Sequence, residues 1–209
     1  MKLTIYLLAV LAGYIYSVWQ LKKDNDKSKF LNIYYGVMAV AQIALAIVFG
    51  TVYTENEVTF TLKRILHLIV LWTVAYTDYR SHRISNKVLL VGVAGWSVIT
   101  LVELWMDLGI NRQVLISECV YAGVILVALL LVRLITKGGI GMGDIKLMVL
   151  MGLLEGSNGL MGSIMLSCIV IFVIAVVLLI LRKKGRKDEL PFAPAILLGS
   201  FISMILAGA

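Results

Sequence analysis

At 209 residues, with 61% hydrophobic and only 15% charged residues, the chain is too apolar for a water-soluble enzyme or a disordered tail, since soluble domains carry about 25% charged residues. The net charge of +7 in a chain of mean hydropathy +0.98 reports orientation in a membrane first, so no nucleic-acid partner is expected. Cys119 and Cys168 each stand alone in an apolar run, which excludes a disulfide framework and a cysteine-built zinc site.

A bilayer core of about 30 Å needs roughly 20 apolar residues per helix. Residues 3–19 and 31–53 contain no charge and form the first two expected spans. The third, 62–77, opens on Lys63 and Arg64, whose long side chains are expected to snorkel to the interface. The fourth, 88–106, carries Glu103 near its end, and the fifth is 114–135. Gly138 to Glu155 is apolar but interrupted by Asp144 and Lys146, and uncharged runs follow at 156–181 and 190–209. The expected fold is an all-α, polytopic membrane bundle of about eight helices with the N-terminus outside. It forms one domain over 1–209, with two N-terminal helices in 1–53 and a catalytic core in 62–209.

The basic residues decide between seven and eight crossings. With eight, the inner loops fall near 20–30, 78–87, 133–146 and 182–189, and only Lys2, Lys63, Arg64 and Arg112 of the nineteen Lys and Arg lie outside them. With seven, the cluster Arg182 to Lys187 would lie opposite the others. The lysines directly after residues 1–19 also disfavour a cleaved signal peptide there, because they belong on the cytoplasmic side. Trp19, Tyr53, Tyr79 and Trp105 lie near span ends, as interfacial anchors do.

Most of the acids, including Glu103, Glu118, Glu155 and Asp188, read as solvated or interfacial charges. Asp78 and Asp144 differ in placement. Asp78 ends the third span and Asp144 begins the sixth, both on the inner face, so they share one depth. An ionisable group at membrane depth is costly unless it faces a partner or a wet cavity. Two such carboxylates are the minimum for aspartic-protease chemistry: like charges that close cannot both ionise easily, and the pair shares a proton. Pairing of each acid with Arg80, Arg83 or Lys146 is the plainer alternative. Gly138, Gly139, Gly141 and Gly143 each weaken a helix by about 1 kcal/mol relative to alanine. They therefore point to backbone lining a cavity or accepting an extended substrate. The four-residue spacing of Gly139 and Gly143 equally fits helix packing. His67 and His82 form no HExxH or histidine–carboxylate pattern, and no GxSxG or P-loop occurs, so neither metal nor cofactor is expected.

These residues carry a resemblance. Gly141-Met-Gly143-Asp144-Ile-Lys146 resembles the GxGD signature of membrane aspartic proteases, in the form seen in the prepilin peptidase family. Asp78 to Asn86, ending Ile84-Ser85-Asn86, resembles that family's first motif, with Ser85 in place of the usual proline. Glu189-Leu-Pro191-Phe192-Ala193-Pro194 resembles its late Pro-Phe-Gly-Pro element, with Ala193 in place of glycine. The resemblance implies Asp78 and Asp144 as the catalytic pair, supported by Gly141, Gly143, Lys146, Pro191, Phe192 and Pro194. It implies cleavage of the short basic leader from pilin-like precursors, just before their hydrophobic helix, at the cytoplasmic face of the membrane, with the bilayer as the other partner. Two-domain members also N-methylate the new terminus through an inner-face domain with two CxxC pairs between their first two helices. Only Leu21 to Phe30 lies there in this chain, with no cysteine, so a peptidase-only member is expected. Two other readings compete. One is a presenilin-like or signal-peptide-peptidase-like protease, disfavoured by the basic loop after Asp78 and by Lys146. The other is a small proton- or cation-coupled transporter, disfavoured because the glycine break occurs once rather than in two symmetric halves.

Overall fold

The helix that ends on Asp78 is the one the others surround. A computed structural model describes residues 2–22, 29–181 and 190–208. Among them the chain is helical with no strand, in seven helices: α1 (Lys2–Lys22), α2 (Lys29–Thr51), α3 (Val58–Ser81), α4 (Asn86–Met106), α5 (Leu108–Ile135), α6 (Met142–Ile180) and α7 (Ala193–Ala207). Helix α3 is buried along most of its length and touches α1, α2, α4, α6 and α7. Its Leu68, Leu71, Val74 and Ala75 join Leu147, Leu150, Met151 and Leu154 of α6, and Ile196 and Leu197 of α7, in one apolar core. Large apolar side chains such as Leu101, Leu131, Phe172 and Ile180 cover the outside, as a bilayer-facing surface requires.

Among the described residues six helical stretches are long and apolar enough to cross a membrane: Lys2–Lys22, Phe30–Thr51, Val58–Ser81, Asn86–Met106, Asn111–Ile135 and Gly159–Ile180. The 142–155 part of α6 and the Ala193–Leu206 stretch of α7 are apolar but shorter. Helix α6 is two segments. Gly156 sits at φ 59°, ψ −157°, a conformation that falls to glycine, and the break lies where the sequence divides its sixth and seventh apolar stretches.

Of the two readings of the glycine segment, helix packing at four-residue spacing is the one that fails. The helix begins at Met142. Lys137 and Gly138 turn the chain at φ 49° and 96°, and the Gly138 N–H returns to the Arg133 carbonyl at 2.8 Å. Gly139 therefore lies in a loop, shares no helix with Gly143, and the four-residue packing stripe does not form.

The charged residues at the other end also correct the sequence reading. Glu103, Glu118 and Glu155 are buried, and so are Lys63, Arg64 and His67. Lys63 Nζ lies 2.7 Å from carboxylates of both Glu103 and Glu118. His67 Nδ1 lies 2.8 Å from Glu155 Oε1, making His67 structural. Neither Lys63 nor Arg64 snorkels: acids from α4 and α5 meet Lys63 inside the bundle, and backbone carbonyls of α6 meet Arg64. Trp19, Tyr79 and Trp105 are exposed as anchors would be, but Tyr53 donates its hydroxyl to the Ile205 carbonyl and ties α2 to α7. The residues Lys23, Asp24, Asp26 and Lys27, and the run Arg182 to Glu189 with Asp188, lie outside the described residues.

Helices α6 and α7 meet with almost no gap: a Cβ on Gly199 would overlap the backbone of Ser167. Gly199→Ala is therefore expected to destabilise the protein by about 1–3 kcal/mol, the usual cost of overpacking. Gly36, with nothing within 4 Å of such a Cβ, should tolerate alanine or gain up to about 1 kcal/mol of helix propensity. Thermal unfolding of both variants in detergent checks this contrast.

Candidate active site

Asp78 stands in the last turn of α3 and is 6% exposed. A carboxylate at that depth needs donors, and one comes from another helix. The backbone N–H of Ala193 donates to Asp78 Oδ2 at 3.0 Å. Ala193 is the first residue of α7, where N–H groups lack partners within the helix and carry the positive end of its dipole. Pro194 follows, inside the first turn where proline removes no needed donor. Pro191 and Phe192 are half-buried in the lead-in, and the Phe192 carbonyl accepts the N–H groups of Ala195 and Ile196. The late motif thus delivers a helix amino end to the first aspartate.

The chain after Asp78 turns at once. The His82 N–H donates to the Asp78 carbonyl at 2.8 Å, with His82 in the left-handed region at φ 51°. Ser85 opens α4 at φ −71°, within the range that proline itself would fix. Serine in place of the family's proline therefore leaves the loop with a proline-compatible backbone.

Asp144 lies in the first turn of α6 and is half-buried, so its carboxylate also stands at a helix amino end. Asp78 lies close enough for its charge to act on the Asp144 carboxyl. Two further contacts lock the two motifs together, and a third shapes the second motif itself. A Cβ on Gly143 would stand 3.0 Å from Ile84 Cβ, so the glycine lets α6 close on the loop that follows Asp78. Lys146 Nζ donates to Asn86 Oδ1 at 3.0 Å, which commits the lysine to that same loop. A Cβ on Gly141 would stand 2.9 Å from Asp144 Oδ2, so only a bare Cα leaves that carboxylate its position.

The residues singled out in sequence meet here: Asp78, Asp144, Gly141, Gly143 and Lys146, with the α7 motif supplying its donor through Ala193. Sequence reasoning registered Ala193 only as a departure from glycine; that its N–H reaches Asp78 depends on tertiary packing. An apolar groove of about 300 Å³ opens beside this site between α2, α3 and α7. Its walls include Phe30, Tyr34, Trp72, Tyr76, Tyr79 and Pro194, and one end is set by the neighbours of Asp78.

The sequence profile of the type IV leader peptidase family matches residues 65–177, more than half of the chain and including both aspartates. The chain belongs to that family, which sets aside the transporter and presenilin-like readings. A relative named prepilin leader peptidase/N-methyltransferase, from Bacillus subtilis (strain 168), is 27% identical over 149 residues, covering 68% of this chain and 54% of the relative. The chain thus spans about half the length of that relative. No solved structure matches it.

Gly141→Ala should separate fold from site. The clash falls on the end of a movable side chain, so the melting midpoint should stay close to that of the parent protein. The Asp144 carboxylate must move, and a misplacement near 1 Å costs up to about 10²-fold in turnover. Steady-state peptidase assays alongside thermal unfolding check both halves.

Proposed function

We propose that the chain is an aspartic endopeptidase that removes the short basic leader of type IV pilin-like precursors at the cytoplasmic face of the cell membrane, with Asp78 and Asp144 as its catalytic pair. The observation that carries this reading is the meeting of the three motifs around Asp78. The Ala193 N–H reaches its carboxylate at 3.0 Å, while Gly143 and Lys146 fasten the Asp144 helix to the Ile84–Asn86 loop. In the proposed chemistry the pair shares one proton. The ionised member takes a proton from water as it attacks the scissile carbonyl, and the protonated member polarises that carbonyl. The roles then reverse to protonate the leaving amine. The apolar groove beside Asp78 fits a substrate whose cleaved bond adjoins an apolar helix.

The orientation belongs to the same proposal: eight crossings, N-terminus outside, one peptidase domain with residues 62–209 as its catalytic core. Its support is that the flanks of the four basic loops gather at one end of the bundle. Leu21, Leu31 and Tyr76 pack together there, Phe30 stacks on Tyr76, Lys146 reaches Asn86, and Ala193 reaches Asp78. Lys2 lies at the opposite end, donating to the carbonyls of Thr54 and Asn56.

Purified protein mixed with a precursor bearing a basic leader and an apolar helix tests the activity directly. Asp78→Asn and Asp144→Asn should each lower cleavage by at least about 10²-fold, the lower bound for losing a general acid or base. Both variants should still insert, because an amide is cheaper than a charge at depth. Asp188→Asn, in the charged run Arg182 to Glu189, should stay active. Near-normal cleavage by either asparagine variant would remove that residue from the pair.

Only the residues between Lys22 and Lys29 separate α1 from α2, and they include no cysteine. The proposed product is therefore an unmethylated terminus. Mass spectrometry of the mature substrate made with this protein as the sole candidate methylase should show the free amine, and a methyl group would overturn the peptidase-only assignment.

A further inference from the structure

The buried charges far from Asp78 meet the Asp144 helix at its other end. The 142–155 segment of α6 stops at Gly156, where φ 59° and ψ −157° break the helix. A helix that stops inside a bundle leaves its last carbonyls without intrahelical donors. Arg64 supplies them: Nη1 donates to the Leu154 carbonyl and Nη2 to the Glu155 carbonyl, each at 2.9 Å. The guanidinium is itself held, with its carbon 4.4 Å from the centre of the Phe60 ring and Arg64 1% exposed. The Glu155 side chain ties the same point to both neighbours. Its Oε1 lies 2.8 Å from His67 Nδ1 on α3 and accepts the Ser163 hydroxyl, beyond the break, at 2.9 Å.

Arg64 and Asp78 lie on one helix, 14 residues apart, or about 21 Å along its axis. Asp144 and Glu155 lie on the short segment, 11 residues apart, or about 16 Å. The segment is therefore held at both ends. At the Asp78 end the hold is the contact of Ile84, in the loop after α3, with Gly143 and of Asn86, the first residue of α4, with Lys146; at the far end it is Arg64 of α3. We propose that Arg64 is a positioning residue for Asp144. By capping the 142–155 segment at the Gly156 break, it fixes how far along α3 the segment sits and so the height at which Asp144 stands beside Asp78. The inference rests on the peptidase reading for its consequence in turnover, but its geometric content does not.

The test uses the full-length protein in detergent with three variants. Arg64→Lys keeps the charge and loses the two-pronged donor. Gly156→Ala keeps every charge and meets only ordinary contact, 3.6 Å from Glu118 Cγ, but strains the break; it keeps the test open if Arg64→Lys fails to fold. Glu103→Gln, the control, alters the same buried cluster on the Lys63 side, away from the 142–155 segment. The first readout is kcat against KM on a pilin-like precursor, with a fall in kcat of tenfold or more at KM within twofold expected for the two test variants and not for the control. The second needs no activity. Ile84→Cys with Gly143→Cys, in a background where Cys119 and Cys168 are serine, places a disulfide pair across the Asp78-end contact. Oxidative cross-linking should slow at least fivefold in the test variants and not in the control. Unchanged kcat, unchanged cross-linking, or an equal loss in Glu103→Gln overturns the proposal. If the parent protein cleaves no pilin-like precursor, the peptidase reading fails, and cross-linking alone still decides whether Arg64 sets the register.

Discussion

The hydrogen bond from the Ala193 N–H to the Asp78 carboxylate is the constraint around which the described structure is arranged. A buried carboxylate without donors is among the costlier groups a membrane bundle can hold. Here one donor is an N–H at the amino end of a helix, so part of the cost is met by placing α7. That placement has consequences along the chain. Helix α7 must begin at Ala193, must run close against α3, and must let α6 approach to the backbone contact at Gly199 and Ser167. The two prolines of the chain stand at 191 and 194, on either side of the donor. They start a helix there and supply no competing N–H of their own.

Asp144 receives the same treatment from a different helix. It stands in the first turn of α6, so each acid of the pair faces the positive end of a helix, Asp144 its own and Asp78 that of α7. Helix ends add partial positive charge beside each acid, which suits the shared proton of the proposed chemistry. Lys146 lies in the next turn from Asp144, yet its ammonium bonds Asn86 and serves the loop.

The parts of this arrangement that were legible in sequence are those where a local residue type has no substitute. Glycines crowded before an acid, an acid at the end of an apolar run followed by a basic loop, and two prolines bracketing a short motif all mark special backbone or special depth. The long apolar runs gave the helices for the same reason. The opposite end of the bundle is not legible in this way. The sequence puts Lys63 and Arg64 at the interface, and reads Glu103, Glu118 and Glu155 as solvated or interfacial charges, because hydropathy registers depth along the chain but not partners across it. Those partners lie 55 positions away for Lys63 and Glu118, and 91 for Arg64 and the Glu155 carbonyl. No local pattern encodes such pairings. The same blindness applied to Ser85, which differs from proline in sequence yet holds a backbone angle that proline would adopt.

The buried charge cluster would be a poor choice if stability alone were at stake, since buried ion pairs often contribute less than well-packed apolar replacements. Its geometry is specific where an apolar contact is not. Apolar side chains in a lipid-like interior allow one helix to slide against another with little change in energy, because lipid is as apolar as the core. A guanidinium bonded to two carbonyls at a helix break does not slide: moving the 142–155 segment along α3 would strip Arg64 of both acceptors at once. The break at Gly156 makes that grip possible, because an unbroken helix would have offered its carbonyls to its own next turn. Beyond the break α6 exposes Phe172, Val173 and Ile180 on its outer side, while Ser167 packs against Gly199 of α7. The half of α6 that carries Asp144 is thus held by Arg64 of α3, and the half that meets lipid by α7.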